Sequence, residues 1–170
     1  MTTTTTADRY CTFRIGAFHF GVDVGRVQEV IRHQAMTRIP LAPPAIRGLI
    51  NLRGQIVTAV DLRRVLGLPD RADDTLPMNV VVTFDDAAAS LLVDEIDDVV
   101  TVPPDSCEPP PNNLAPALRQ LLQAVHKLPG RLLLALDVDQ VLHAVGRPPR
   151  HRNGPSDPRT EPTLPSRDRP

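Results

Sequence analysis

The chain has 170 residues, room for one domain or for two small barrels sharing a core, and 41% of them are hydrophobic, enough to form that core. With no Trp, one Tyr and four Phe, the core must be built from Val, Leu, Ile and Ala, and an aromatic stacking platform for single-stranded nucleic acid is not available. A net charge of −1 also argues against a nucleic-acid partner, because binding driven by phosphate neutralisation needs clustered Lys and Arg in excess.

Charge and composition shift at both ends. Residues 1–8 are a polar Thr run, and residues 146–170 carry seven prolines and six arginines against Asp157, Glu161 and Asp168, leaving about −4 for the rest. Both ends hold almost no apolar residues to bury, so both are expected to be disordered, with residues 9–145 as the folded part. The N-terminus lacks the basic and apolar regions of a secretory signal, and no stretch approaches the roughly 20 apolar residues of a membrane span. Direct membrane insertion is therefore not expected. Cys11 and Cys107 are the only cysteines and stand far apart, which suggests neither a disulfide framework nor a zinc site. Together these features predict a cytoplasmic protein in a reducing compartment.

Residues 10–15 and 18–24 alternate apolar and polar positions about Gly16-Ala17, predicting a hairpin with Cys11, Phe13 and Ile15 on one face. Residues 24–32 place Val27, Val30 and Ile31 at helical spacing but are rich in β-branched side chains, so helix and strand compete; a strand with a bend is preferred. Residues 37–44, with Pro40, Pro43 and Pro44, cannot supply ladder donors and predict a connector that leads into a short turn at 45–47, closed by Gly48. Residues 49–52 and 55–60 predict strands around Arg53-Gly54, and Asp61 then caps a short helix through Leu62, Val65 and Leu66, ended by Gly67 and Pro69. A charged surface loop over 70–77 precedes a second set of strands at 78–83, 90–93 and 96–102. Pro103-Pro104 and Pro109 to Pro111 fence a short piece at 105–108. Leu118, Leu121, Leu122 and Val125 fit either a helical turn or a buried strand. Residues 131–137 predict an apolar strand, followed by a small helix at 138–143 with Asp139 in its first turn.

Many short strands and only short helices predict an all-β barrel or sandwich. Val60 to Leu66 and Leu136 to Leu142 resemble each other in outline, each finishing strand, Asp, short helix. Two similar halves are therefore expected.

Catalytic chemistry finds little support. The five histidines never fall at H-x-x-x-H spacing, and none follows a cysteine at a metal-ligand interval. No nucleophile elbow, phosphate loop or dinucleotide fingerprint occurs, and Cys11 lies inside a predicted strand, where a thiol is inert packing. The densest acidic cluster is Asp94, Glu95, Asp97 and Asp98. It could hold a cation and serve a small metal-dependent hydrolase, but a solvated hairpin tip between two strands is the preferred reading. Asp137 and Asp139 are better explained by a helix start than by a bound cation. No cofactor is expected.

The most informative segment is Val27 to Leu66, which reads Val-Gln-Glu-Val-Ile, Thr-Arg-Ile-Pro, Ile-Arg-Gly-Leu-Ile-Asn-Leu-Arg-Gly-Gln-Ile-Val and Val-Asp-Leu-Arg-Arg-Val-Leu. This order resembles the CheW-like coupling domain of bacterial chemotaxis, and the resemblance spans residues 9–145. It implies two small five-stranded SH3-like barrels packed on a shared core, without enzymatic activity. It also implies a signal-transduction adaptor that couples the cytoplasmic tip of chemoreceptors, the methyl-accepting chemotaxis proteins, to the regulatory domain of the histidine kinase CheA, and is recruited to membrane receptor arrays through these partners. A related role in a non-flagellar chemosensory pathway, controlling pili or gene expression, is the alternative. Carried onto matching positions, the resemblance names Val27, Glu29, Gly48 and Arg53 as partner-binding residues. Thr58 stands where the family commonly has Pro, and Ala124 where it often has Gly.

The residues themselves leave alternatives at each of these positions. Arg53 offers a rigid donor fork to a partner or forms an internal ion pair, with Asp61 as the expected acceptor. Gly54 supplies a positive φ at the same turn. Gly48 is a turn glycine or a point of close approach by a partner, the turn being preferred. Val27 is core rather than contact surface, and Glu29 is exposed and free to meet a partner's cation.

Overall fold

The computed structural model describes residues 7–72 and 74–145. The ends expected to be disordered lie outside the described residues, except for Ala7 and Asp8, of which Asp8 already stands in the first strand, paired with Val102.

The predicted first hairpin forms as β1 (Asp8–Ile15) and β2 (Phe18–Asp23), closed by Gly16 at φ 57°. Cys11, Phe13 and Ile15 are buried, as the alternation requires. The bend expected within 24–32 is a 3-10 turn at Val24–Arg26, whose Gly25 N–H donates to the Asp23 carboxylate, and β3 (Val27–Ile31) follows. The connector then runs to β4 (Ile46–Leu52) and β5 (Gln55–Asp61). The turn expected at 45–47 lies one residue upstream, at Pro44-Ala45, where the Ile46 N–H donates to Pro43 O at 2.9 Å, and Ile46 already begins β4. Asp61 accepts from the Arg63 N–H at 3.0 Å and starts α1 (Leu62–Val65), as its side chain predicts.

The second half contains β6 (Met78–Phe84), β7 (Ala87–Val93), β8 (Glu95–Val102), the two-residue β9 (Cys107–Glu108), α2 (Pro116–Arg119), β10 (Leu122–Leu128), β11 (Arg131–Leu136) and α3 (Val138–Val145). The open alternative at 118–125 resolves both ways, with Leu118 in α2 and Val125 in β10. Thr58 has strand partners on both sides, Leu49 and Ala89, and Ala124 follows a bulge in β10; neither departure from the family pattern interrupts a strand.

The fold is all-β, with a six-stranded sheet ordered β8-β1-β2-β11-β10-β9 and a five-stranded sheet ordered β3-β6-β7-β5-β4. The two orders are the same when β1, β2, β3, β4 and β5 are exchanged for β6, β7, β8, β10 and β11. The only parallel pairs among the described residues, β5 with β7 and β11 with β2, also exchange. The chain is thus a structural repeat in which each half donates its first hairpin to the other half's sheet. The shared ending is equally exact in its hydrogen bonds. Asp61 N donates to Ala45 O at 2.7 Å and Asp137 N to Leu121 O at 2.9 Å, and Asp137 caps α3 through the Gln140 N–H as Asp61 caps α1.

Each sheet curls so that chain-adjacent pieces meet its opposite edges. The turn at Pro104–Ser106 joins β8 at one edge of the six-stranded sheet to β9 at the other. In the five-stranded sheet, Thr37, six residues past edge strand β3, bridges Leu49 on the far edge strand β4. Curling removes free edges, which would otherwise invite pairing with other chains. The sixth strand, β9, is the one addition to the five per barrel that were expected. Between the sheets lies the main hydrophobic core, in which Phe13, Phe20 and Val22 of one sheet meet Val80, Leu91 and Val60 of the other under Leu62, Val141 and Leu142 from α1 and α3. Each such side chain stabilises the fold by about 1.5–3 kcal/mol on burial.

Candidate docking surface

Leu52 pairs with Gln55, so Arg53 and Gly54 form a two-residue hairpin loop, and both have positive φ, 51° and 85°. That combination is the primed turn whose twist matches its strands. Gly54 adopts it freely. Arg53 does so at a cost of about 1 kcal/mol, offset in part by the Gly54 N–H donating to Asn51 Oδ1 at 2.9 Å. The loop fixes where the Arg53 backbone stands and leaves its side chain 83% exposed at the rim of the sheet.

Arg53 Nη2 donates to Glu29 Oε2 at 2.8 Å. The internal ion pair anticipated for Arg53 therefore exists, but its acceptor is Glu29 and not Asp61, which is buried and occupied in capping α1. Glu29 departs from expectation too. Along β3, Gln28 and Val30 are exposed while Val27, Glu29 and Ile31 are half-buried, so Glu29 is a partly desolvated carboxylate that needs a nearby cation. Val27 packs against the main core, in line with its expected role as core.

Gly48 stands apart. It lies buried inside β4 at a bulge, not in a turn, and Thr37 crosses directly over it, with Thr37 N donating to Leu49 O and Leu49 N to Thr37 O, both at 2.8 Å. A Cβ at Gly48 would lie 2.5 Å from Thr37 O. The close approach that a glycine signals is made by the chain's own backbone. The fold thus brings Glu29 and Arg53 into contact, sets Val27 on the same strand, and places Gly48 beneath the connector. Val30 and Ile56, 40% and 39% exposed, add apolar surface on β3 and β5 that the sequence reading did not select. Its only signal was the run of β-branched residues out of phase with their buried neighbours.

The acidic cluster is not a solvated hairpin tip. β7 and β8 belong to different sheets, so Asp94 marks the crossing between them, and the crossing is pinned by cations. Asp94 Oδ1 accepts from Arg63 Nε at 3.0 Å and from Arg71 Nη2 at 2.9 Å, and Oδ2 accepts from the Gly16 N–H at 2.8 Å. Glu95 pairs with Arg14, and Asp97 lies 3.3 Å from Arg14 Nε and 3.4 Å from His19 Nε2. Among the described residues, no three His, Cys, Asp or Glu side chains gather as metal ligands. The repeat places a counterpart at the other crossing, β2 to β3, where Arg26 Nη2 donates to Asp139 Oδ1 at 2.7 Å. Arg63 and Asp139 occupy equivalent helix positions with opposite charge, and Asp94 and Arg26, also opposite in charge, each immediately precede the strand that follows the crossing.

His19 and His126 are buried, and burial pushes both imidazoles below their ordinary pKa; Arg131 adds to the effect at His19. His126 Nδ1 lies 3.0 Å from Ser106 Oγ, and its Nε2 is buried with no hydrogen-bond partner. Burial thus favours the neutral form of both rings in the fold, and the unfolded chain binds more protons as pH falls below about 6.5, so stability declines with acidity through that region. Melting temperature is expected to fall between pH 7.5 and 5.5, and a His126→Asn variant to show a shallower fall; an unchanged melting temperature across this range would contradict the burial of neutral imidazoles.

Residues 9–146 match the family profile described as the CheW-like domain. The chain is 28% identical over 137 residues to a protein of Bacillus subtilis named "Chemotaxis protein CheW", the match covering 81% of this chain and 88% of that protein. A protein of the same name from Klebsiella aerogenes is 28% identical over 138 residues, covering 81% and 83%. The crystal structure of the scaffolding protein TtCheW from Thermoanaerobacter tengcongensis superposes with a TM-score of 0.72 at 25% identity, over 81% of this chain and 93% of that one.

Proposed function

The chain belongs to the CheW-like domain family, and from that premise we propose that it is a non-enzymatic cytoplasmic adaptor coupling chemoreceptor tips to the regulatory domain of a CheA-type histidine kinase. The observation that carries the proposal is the exposed Arg53 guanidinium, held at the rim of a sheet by a rigid two-residue turn and half engaged by Glu29. Such an arginine is pre-oriented, has donors to spare and is of the kind enriched at the centre of binding surfaces. Glu29 and Val27 of β3 complete the proposed contact, and Gly48 serves it indirectly by letting Thr37 lock β4 in place. The relatives named as chemotaxis proteins favour a chemotaxis pathway over one controlling pili or gene expression. No described helix is long and apolar enough to cross a membrane, which accords with recruitment to receptor arrays through partners.

The test is a calorimetric titration of the kinase regulatory domain into wild type and Arg53→Ala. An exposed ion pair contributes about 0–1 kcal/mol to stability, so the variant is expected to melt within a few degrees of wild type. Its affinity is expected to drop about tenfold or more. Equal affinity of the two proteins would remove Arg53 from the interface, and a large loss of melting temperature would make its role structural.

A further inference from the structure

The six-stranded sheet is closed by a short seam. β9 pairs with β10 only at Glu108–Val125 and Cys107–His126, and the prolines on either side, Pro103, Pro104 and Pro109 to Pro111, have no N–H with which to extend the ladder. Without β9, β10 would have a neighbour on one side only, and the sheet would have an open edge. The Ser106 side chain also holds this segment, and its hydrogen bonds fix the state of a buried imidazole. Ser106 Oγ stands 2.6 Å from Pro103 O. A carbonyl oxygen can only accept, so the hydroxyl proton lies there. Ser106 Oγ is then the acceptor for His126 Nδ1, 3.0 Å away, and the ring proton is on Nδ1. Nε2 is left with a bare lone pair, buried and without a partner.

The surroundings are poorly suited to a charged ring. His126 is 4% exposed and lies tilted against Tyr10, 5.4 Å between centroids, beside the small core of Tyr10, Val102, Leu133 and Ala135. The titratable groups on its side are Asp8 and Tyr10 from β1 and Cys107 from β9, while β11 and β8 bring the apolar Leu133 and Val102. Asp105 and Glu108, on the segment itself, are exposed. Tyr10, pushed up to about 12 chiefly by burial, stays a neutral phenol. Asp8 favours the imidazolium, but burial outweighs it and lowers the His126 pKa. His19 differs, because Asp97 lies 3.4 Å from its Nε2 and can meet its charge in place.

We propose that His126 is an acid-sensitive latch on this seam: a proton on Nε2 releases residues 103–108 from β10 and leaves β10 with a free edge, while the rest of the fold stays closed. Lifting the segment is the relief that disrupts least, since it gives up two ladder positions and the Ser106 bond and lets water reach the ring. The surface formed by 103–108 is thus present at neutral pH and withdrawn in acid. The sign follows from linkage. In the open form the exposed imidazole titrates at about 6.5 and in the closed form lower, so the open fraction rises about tenfold between pH 7.5 and 5.5. The latch does not rest on the adaptor reading.

Amide hydrogen exchange of the full chain, followed by NMR between pH 7.5 and 5.5 and corrected for the intrinsic rate at each pH, tests the latch. Protection at Ser106 and along the ladder shared by β9 and β10 is expected to fall about tenfold over this range. That exchange should be insensitive to about 1 M urea, the mark of a local opening, whereas the amides of β6 and β7 exchange more slowly and respond to urea. His126→Asn is expected to abolish the pH dependence at the seam, and His19→Asn to retain it. Ser106→Ala keeps the imidazole and loses its anchor, so it should open the seam more at every pH with the same tenfold rise. The imidazole signal of His126 in the wild-type chain gives a readout that needs no variant, and it should titrate below 6.5. Titration at 6.5 or above, seam protection that does not change with pH, or seam exchange with the same urea dependence as β6 and β7 would each overturn the proposal.

Discussion

Gly48→Ala is expected to destabilise the protein by about 3 kcal/mol or more, lowering its melting temperature by roughly 10 °C. Two costs combine. The position has φ 154°, at the edge of the region L-residues avoid, and the new Cβ would stand 2.5 Å from the carbonyl oxygen of Thr37 and 3.0 Å from its carbonyl carbon. The obstacle is backbone, so no rotamer change relieves it. Relief requires breaking the paired hydrogen bonds between Thr37 and Leu49, the link that joins the two edges of the five-stranded sheet. Gly54→Ala is the matched control. Its φ is 85° but nothing lies within 4 Å of its Cβ, so only the conformational cost of about 1 kcal/mol applies. Chemical denaturation of both variants checks the difference, and equal losses would mean that the Thr37 crossing is not closed in solution.

Asp94→Asn is expected to cost about 3 kcal/mol, the range found when one partner of a largely buried ion pair is removed. Arg63 and Arg71 have side chains only 14% and 12% exposed, and in the variant they would share a neutral acceptor. The loss should also unfasten three elements at once, because the same carboxylate holds the β1–β2 turn, α1 and the 70–77 loop. Asp139→Asn at the equivalent crossing is expected to lose about 0–1 kcal/mol, since Arg26 and Asp139 are 34% and 51% exposed and water screens the pair. Burial by itself would raise the Asp94 pKa, but hydrogen bonds from Arg63, Gly16 N–H and Arg71 outweigh it and hold the carboxyl at about 2. The folded state thus keeps its proton off at a pH where the unfolded chain takes one up. The contribution of Asp94 is present in full above about pH 4 and disappears as pH falls towards 2. Acid unfolding of wild type against Asp94→Asn should converge over that interval; parallel curves would place the pair's contribution elsewhere.

What the sequence disclosed was local. Gly16-Ala17 and Arg53-Gly54 named their hairpins because a two-residue turn is decided by the residues in it, and Asp61 and Asp137 named two helix starts because a cap needs only its own side chain. The similar endings at 60–66 and 136–142 were enough to suggest a repeat. The exchange of hairpins between halves was not legible, since β1 pairs with β8 across some eighty residues and both faces of a strand read alike whichever sheet it joins. The errors share that origin. Asp94 looked like a solvated tip because sequence neighbours β7 and β8 resemble a hairpin, whereas its partners Gly16 and Arg63 lie 78 and 31 residues away. Gly48 looked like a turn because glycine reports a positive φ or a close approach without saying which. Glu29 looked free because its cation arrives from 24 residues downstream.

The pseudo-twofold arrangement also bears on the proposed adaptor role. Two sheets of one topology sharing a core give the chain two rims and two crossings, with charges reversed between the equivalent clamps Arg63–Asp94 and Asp139–Arg26. A molecule so built presents similar shapes with different charge to different partners, which suits a protein proposed to hold a receptor and a kinase at once. Two exposed side chains, Arg53 and Leu41, flank β4 at its two ends.

The most direct test of coupling is co-sedimentation of a CheA-type kinase with membranes carrying chemoreceptors, with and without this chain. The account predicts that kinase enters the pellet only when the chain is present, saturates with added chain, and is largely lost with Arg53→Ala. Kinase that stays in the supernatant at saturating chain, or pellets equally without it, would contradict the proposed coupling and leave only the fold.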